Sequence, residues 1–281
     1  VDRYETSMWT RADKKAVECK VVQAALNAAL ADGGTIDTIY AGKAGTYCKG
    51  KPAAAICKFQ QHGADPTCLG GGDTKCNDYP SYFPRSGAAL GLVYACPIKG
   101  VRPSAHMTWF QAAVSCAASG KHLLDNATWQ LAALGTPEGI GSTVAGLCNM
   151  NSGKVRATGE GANCKSAFGV FDMVGNLDEW VADWMPGGAA WMGTQQMGMK
   201  LGWSSYGDGD FSMNVNSSAY SNETNSYVEG MLCTPFRGGF YKSGPSAGPY
   251  AMNLRNGPTD WGQIHGHRCA KRSNSRRRGS L

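Results

Sequence analysis

The sequence predicts an α+β fold in which loops outweigh regular structure, and three observations point there. Helical signals recur in three stretches, one short apolar run reads as a strand, and 38 glycines with 8 tryptophans imply irregular backbone packed by bulky anchors. With 42% hydrophobic residues and ordinary charge content, the chain carries material for a sizeable core. Its 281 residues suit one large domain or two small ones.

The first helix is predicted over residues 11–31. Thr10 can cap it, Asp13 favours its first turn, and Val17, Val21, Ala25, Leu26, Ala29 and Leu30 keep one face apolar before Gly33-Gly34 stops it. From there to about residue 88 the chain is rich in Gly, Cys, Asp and Pro, and Cys48, Cys57, Cys68 and Cys76 are spaced as disulfide-pinned loops need. Gly70-Gly71-Gly72-Asp73 lacks the Lys-Ser/Thr and the helix start of a phosphate loop and reads as a turn.

Ala88 to Ala95 is a candidate strand. Thr108 with Gln111 forms a capping box for a helix running to Ser119 and ending at Gly120. Asp125 caps the next helix, which Trp129, Leu131, Ala132 and Leu134 fill and Gly135 terminates. Residues 168–184 are the densest run. Phe168, Val170 and Phe171 lead into a turn at Asp172, Gly175 and Asn176, followed by Leu177, Trp180, Val181 and Trp184 in a buried segment where both tryptophans are expected to bury much area. Asp172, Asp178, Glu179 and Asp183 lie in this run, where they can cap turns or hold a structural calcium through oxygen ligands; no other cofactor is expected. Between Met185 and Met231 the chain turns Gly-, Ser-, Asn- and Met-rich, a long loop packed by Trp191, Trp203, Tyr206, Phe211 and Tyr220. Asn126, Asn216 and Asn222 stand in N-x-Ser/Thr acceptors.

The formal charge of +6 is local. Lys271, Arg272, Arg276, Arg277 and Arg278 supply five of those charges from a short basic tail over 271–281, so the body is near neutral and no nucleic-acid partner is expected. Eleven cysteines without C-x-x-C spacing argue against zinc and for disulfides, hence an extracytoplasmic, cell-surface or virion-surface setting, with the odd count leaving at least one thiol unpaired. No apolar run is signal-like or long enough to cross a bilayer, and a chain starting at Val1 reads as processed or cut. His265 and His267, two apart with no nearby carboxylate or third His, read as surface side chains.

Three ordered motifs carry a resemblance. Asp172-Met173-Val174-Gly175-Asn176-Leu177-Asp178-Glu179-Trp180, Arg237-Gly238-Gly239 and Gly266-His267-Arg268-Cys269-Ala270 resemble the signature of the formylglycine-generating-enzyme family, a variant of the C-type lectin fold, with His267 where the family usually has Phe. The helix pair around Ala112–Leu124 is similar too, with Thr128-Trp129 in place of Glu-Trp. The resemblance covers about residues 90–270 and implies a lectin-type domain there; residues 1–89 match no family and are expected as a helix and Cys-rich segment that packs on that domain or forms part of it. The resemblance also implies what an oxidase of this family needs, a copper ion on two cysteine thiolates six and eleven residues after the Arg of Arg-Gly-Gly. Those positions are Ser243 and Gly248, and neither supplies the soft sulfur that Cu(I) favours. A His-x-x-x-His-x-Glu iron motif, found in a related branch, is absent, as are Gly-x-Ser-x-Gly and His-Glu-x-x-His.

The last motif sits in a segment of another texture. Gly244, Ala247, Gly248, Ala251, Leu254 and Gly266 alternate with aromatic, charged and amide residues, which resembles the terminal segment of the variable proteins of diversity-generating retroelements: Arg-Gly-Gly, Gly-x-x-Ala-Gly, Ala-x-x-Leu, Gly-x-Arg-Cys-Ala. The resemblance implies a non-catalytic protein that presents Phe240, Tyr241, Lys242, Ser243, Ser246, Tyr250, Arg255, Asn256, Thr259, Asp260, Trp261, Gln263 and His265 to a protein or other macromolecular ligand, with aromatic anchors beside adaptable polar groups. The competing expectations are a formylglycine-generating or related sulfatase-modifying oxidase, and an ordinary surface loop with Tyr250 and Trp261 partly in the core.

Overall fold

Helices form where the chain offers local capping chemistry, and very short strands form where distant segments meet. The computed structural model describes residues 1–39, 46–64, 78–81, 83, 92–137, 147–186, 232–253 and 257–272. In chain order the first part contains strand β1 (Ser7–Arg11), helices α1 (Cys19–Ala31), α2 (Ile36–Ile39) and α3 (Thr46–Gly50), and strands β2 (Phe59–His62) and β3 (Tyr94–Cys96). Then come α4 (Trp109–Ala118), β4 (His122–Leu123), α5 (Asn126–Ala133), β5 (Asp178–Trp180), β6 (Met185–Pro186) and β7 (Leu232–Cys233). The last strands are β8 (Phe236–Gly238), β9 (Gly248–Asn253), β10 (His265–His267) and β11 (Cys269–Ala270).

The two central helices begin where their caps dictate. Thr108 accepts from the Gln111 amide while the Gln111 side chain accepts from the Thr108 amide, so both members of the capping box are satisfied at α4. Asp125 accepts from Thr128 N at 2.8 Å and opens α5. Gly120 and Gly135 follow the helix ends with φ of +67° and +78°. Within α5, Trp129 and Ala132 are buried, but Leu131 and Leu134 face solvent, contrary to expectation.

Residues 7–11 correct the sequence reading of the first helix, which starts at Cys19 rather than residue 11. Thr10 belongs to β1, antiparallel to β2 and β3, and Asp13 pairs with Arg11 at 2.9 Å instead of serving a helix terminus. Burial of Met8 and Trp9 between two partner strands overrides local helical preference. Val21 and Leu30 are exposed as a result of the face that α1 presents, while Val22, Ala25, Leu26 and Ala29 are buried.

The four-stranded sheet β10-β5-β8-β9 assembles the three motifs: Gly266 pairs with Glu179 in parallel, and Glu179 pairs with Arg237 antiparallel. The Trp180 and Phe236 rings lie tilted by 32° with centroids 3.6 Å apart in the core beside Met8, Met107 and Leu123. Trp184, four residues on, remains 39% exposed, so the expected burial of both tryptophans holds for Trp180 only. Phe168 is also exposed.

The first residues are threaded into this centre. Asp2 N donates to Cys269 O, Thr6 N to His267 O and Phe171 N to Arg3 O, at 2.9, 3.1 and 2.9 Å. The β1–β3 pairing and the Cys19–Cys96 disulfide both cross residue 89. Three more disulfides, Cys48–Cys57, Cys116–Cys269 and Cys148–Cys164, join described residues. Cys68 and Cys76, residues 88–91 of the expected strand, residues 187–231 of the expected long loop with Asn216 and Asn222, and the tail beyond Arg272 lie outside the described residues. Among the described residues no helix is long and apolar enough to cross a membrane.

Candidate functional site

The site is built on the turn that β5 leaves and the loop that β8 enters. Asp172 and Asn176 have φ of +58° and +64°, and Gly175 has +75°, with Asn149 O only 2.4 Å from where a Cβ would sit. Asn176 donates from Nδ2 to Glu5 Oε2 at 2.5 Å and accepts at Oδ1 from Asn149 Nδ2 and the Arg156 amide. The polar residues of this turn therefore tie four separate segments together.

Arg237-Gly238-Gly239 has a separate job. The Arg237 guanidinium lies 4.7 Å from the Trp129 ring centre, donating to Asn126 Oδ1 and Pro249 O at 2.9 Å each and to Gln130. Burial pulls its pKa down to about 10. A Cβ at Gly238 would meet Met173 O at 2.8 Å, and one at Gly239 would meet Ala247 at 2.7 Å, both at positive φ, so the two glycines let the 240–248 loop lie flat on the scaffold. Beyond the loop, β9 departs from regular register: Arg237 pairs with Met252 but Gly238 with Gly248, leaving Pro249, Tyr250 and Ala251 bulged. Tyr250 stands in that bulge, 50% exposed.

The residues expected to face a ligand divide into groups. Lys242, Ser246, Tyr250 and Thr259 are exposed, and Phe240, Ser243, Asp260, Trp261 and Gln263 are half-buried. Arg255 and Asn256 lie outside the described residues. Tyr241 and His265 correct the expected exposed set, at 4% and 5% exposure. Tyr241 packs with Ala105 and Leu177, because its amide bonds to Asn176 O and its carbonyl accepts from Gly153, turning the ring inward. His265 faces inward because β10 pairs residue for residue with β5, and its ring sits 4.2 Å from Phe236. His267 is equally sealed, with Nε2 3.1 Å from Ser115 Oγ, so neither histidine is a surface side chain. Burial lowers the pKa of His265 to about 4 and of His267 to about 3. The scaffold positions Gly244, Ala247, Gly248, Ala251 and Gly266 are all buried.

A cavity of about 310 Å³ opens beside this surface, lined by Asp178, Phe236, Phe240, Lys242, Ser243 and Ser246, with Ala251, Met252 and Asn253 of β9 completing it. Asp178, Phe236, Met252 and Asn253 were not foreseen as site residues. A clue existed in the sequence, since Asp178 interrupts the apolar positions Leu177 and Trp180.

The four motif carboxylates serve unlike roles. Glu179 accepts from Trp129 Nε1 at 2.7 Å and from Arg268 at 2.6 and 3.2 Å. Asp172 accepts from Gly159 N at 2.6 Å, and burial raises its pKa to about 7; Asp183 accepts from Asn126 N. No three carboxylates converge among the described residues, and the trio that does, Cys116, His267 and Cys269, has its two sulfurs joined in a disulfide. The residues at the family's thiolate positions do not fit copper: Ser243 Oγ accepts from Phe240 N at 2.9 Å, and Gly248 brings no side chain.

Among known proteins, the model of the sulfatase-modifying factor enzyme 1-like domain matches residues 95–273. The solved structure of the Major Tropism Determinant U1 variant is similar at 17% identity, covering 61% of this chain and 44% of that one, with a TM-score of 0.38; the I1 variant gives the same values. The chain thus spans less than half the length of those proteins. The structure of PvdO from Pseudomonas aeruginosa is similar at 18% identity over 80% of this chain and 74% of that one, with a TM-score of 0.36. No curated protein sequence matches.

Proposed function

The chain belongs to the sulfatase-modifying factor enzyme 1-like domain family, an α+β C-type lectin fold, and we propose that it uses this scaffold for recognition rather than catalysis. The carrying observation is the division within one segment. Buried Gly244, Ala247, Gly248, Ala251 and Gly266 hold the backbone, while Lys242, Ser246, Tyr250 and Thr259 stand clear of it and Phe240, Asp260, Trp261 and Gln263 lie partly open. Aromatic rings beside hydroxyl, amide and charged groups suit capture of a protein or other macromolecular ligand. The similarity of this segment to variable proteins of diversity-generating retroelements supports the same reading, and the four disulfides among the described residues suit an extracytoplasmic or virion-surface setting.

The test is a library randomised at Lys242, Ser246, Tyr250, Thr259, Trp261 and Gln263, displayed on cells and sorted first for folded protein, then for capture of an arbitrary folded protein such as lysozyme. Most members should fold and some should bind; a library that mostly unfolds would sink the reading. Genomic context offers an independent check, because a neighbouring reverse transcriptase and a near-repeat of the codons for 240–270 are expected. The oxidase alternative predicts stoichiometric copper binding and conversion of a Cys-containing peptide, and either result would displace recognition as the function.

A further inference from the structure

Among the described residues, Asp178 is the one carboxylate of this run with no protein donor. It is 4% exposed, lines the 310 Å³ cavity, and makes no side-chain hydrogen bond or ion pair among the described residues. Glu5, Asp172 and Glu179, buried to a similar degree a few residues away, each accept from named N–H groups. A carboxyl group is seldom buried without a partner, because the lost hydration is not returned. Burial alone pushes its pKa up to about 8.

The remaining walls match one kind of visitor. Phe236, Phe240, Ala251 and Met252 offer apolar surface for a methylene stem, and the hydroxyls of Ser243 and Ser246 can accept further N–H bonds. The volume is near the lower end of the roughly 300–1,000 Å³ usual for ligand pockets, room for one side chain rather than a large cofactor. Lys242 lines the cavity too, but it is exposed and its ammonium lies over the Tyr241 ring at 5.8 Å, without an ion pair to Asp178.

We propose that this cavity is a socket for a single basic side chain, guanidinium or ammonium, projected by the macromolecular partner, with Asp178 as its counter-ion. The inference rests on the recognition reading above and sharpens it to the chemistry of an anchor. Entry of the cation turns an uncompensated buried acid into a charge-assisted pair. At neutral pH the free protein holds the Asp178 proton, so each cation bound releases one proton to solvent. The other titratable groups on the surrounding elements are Glu179 on β5, Arg237 on β8, Tyr241 and Lys242 in the loop after it, Tyr250 on β9, and His265 and His267 on β10, both held neutral by burial.

The experiment titrates the full chain with n-butylguanidinium, n-butylammonium and the neutral n-butylurea, read by NMR and by calorimetry in two buffers of different ionisation enthalpy. At least one cation should bind saturably with proton release. Asp178→Asn, which mimics the protonated acid, should weaken binding by about tenfold or more and abolish the proton release. The two cations tell a guanidinium socket from an ammonium one. Ser246→Trp, at an exposed position on the rim, should block entry while leaving the core untouched. Equal binding of n-butylurea, unchanged affinity in Asp178→Asn, or no binding of either cation by the wild type would overturn the proposal. Partner capture that survives in the displayed library while these titrations fail would remove the socket alone; failure of the library with a working socket would remove the recognition surface instead.

Discussion

Arg268 and Glu179, both sealed from solvent, are joined by bonds from Nη2 to Oε1 at 2.6 Å and from Nε to Oε2 at 3.2 Å, so the last motif of the chain is locked to the first. Arg268 further donates to Phe171 O and Asp2 O, which places one guanidinium at the meeting point of four chain segments. Removing one partner leaves the other charge buried, at a cost of about 3–5 kcal/mol. Glu179→Gln is therefore expected to lower unfolding free energy by that order in denaturant titration. A loss below about 1 kcal/mol would mean that water reaches the pair.

Tyr250 and Tyr241 should respond in opposite ways. Tyr250→Ala removes a ring that stands in the β9 bulge and should change stability by no more than about 0.5 kcal/mol. Tyr241→Ala opens a cavity against Leu177 and Ala105 and should cost about 3 kcal/mol or more. Thermal unfolding of the two variants side by side checks the assignment of inside and outside in this segment.

His265 and His267 set the acid limb of stability. Both fold with pKa values near 4 and 3, below the value of about 6.5 in an unfolded chain, so the unfolded state takes up protons first as pH falls. The stability they contribute is complete above about pH 6.5 and is lost on acidification towards those folded values. His267→Phe, the residue common in the family, should reduce the slope of unfolding free energy against pH by about 1.4 kcal/mol per unit between about pH 4.5 and 6. An unchanged slope would show that His267 is solvated.

Asp178 acts between about pH 4 and pH 8. Its folded pKa of about 8 exceeds the unfolded value of about 3.9, so its protonated form favours folding most fully at low pH, and that contribution is lost as pH rises towards 8. Asp178→Asn should raise the melting temperature at pH 8 and leave it nearly unchanged at pH 4. Equal shifts at both pH values would indicate a packing effect instead.

The starts of α4 and α5 are legible because their signals are local: Thr108 with Gln111, and Asp125 with Thr128, sit within one turn of each other, whereas the Thr10 cap signal fails because residues 7–11 pair as a strand. The strands are not. β5, β8 and β10 have three residues each, too few to display alternation, and the pairings β5–β8 and β5–β10 join residues more than fifty positions apart. For the same reason Tyr241 and His265 read as surface residues until pairing fixed which way they turn. The absence of thiolates at 243 and 248 is readable in the sequence only through the family resemblance that says where they would stand, whereas the cavity at Asp178 depends on how the 240–248 loop lies over β5, which no local pattern encodes.

The threading of residues 2–6 against 267–269 has a consequence in time. On a ribosome residues 2–6 emerge long before 267–269, so although β1 can pair early with β2 and β3, the residues before it wait for their partners until residue 269 has been made. Contacts of such sequence separation slow folding, and the Cys116–Cys269 bond, spanning 153 residues, can close only after residue 269 has emerged. Residues 240–265 are thus already synthesised when that closure happens, so any substitution in them is present while residues 2–6 find 267–269.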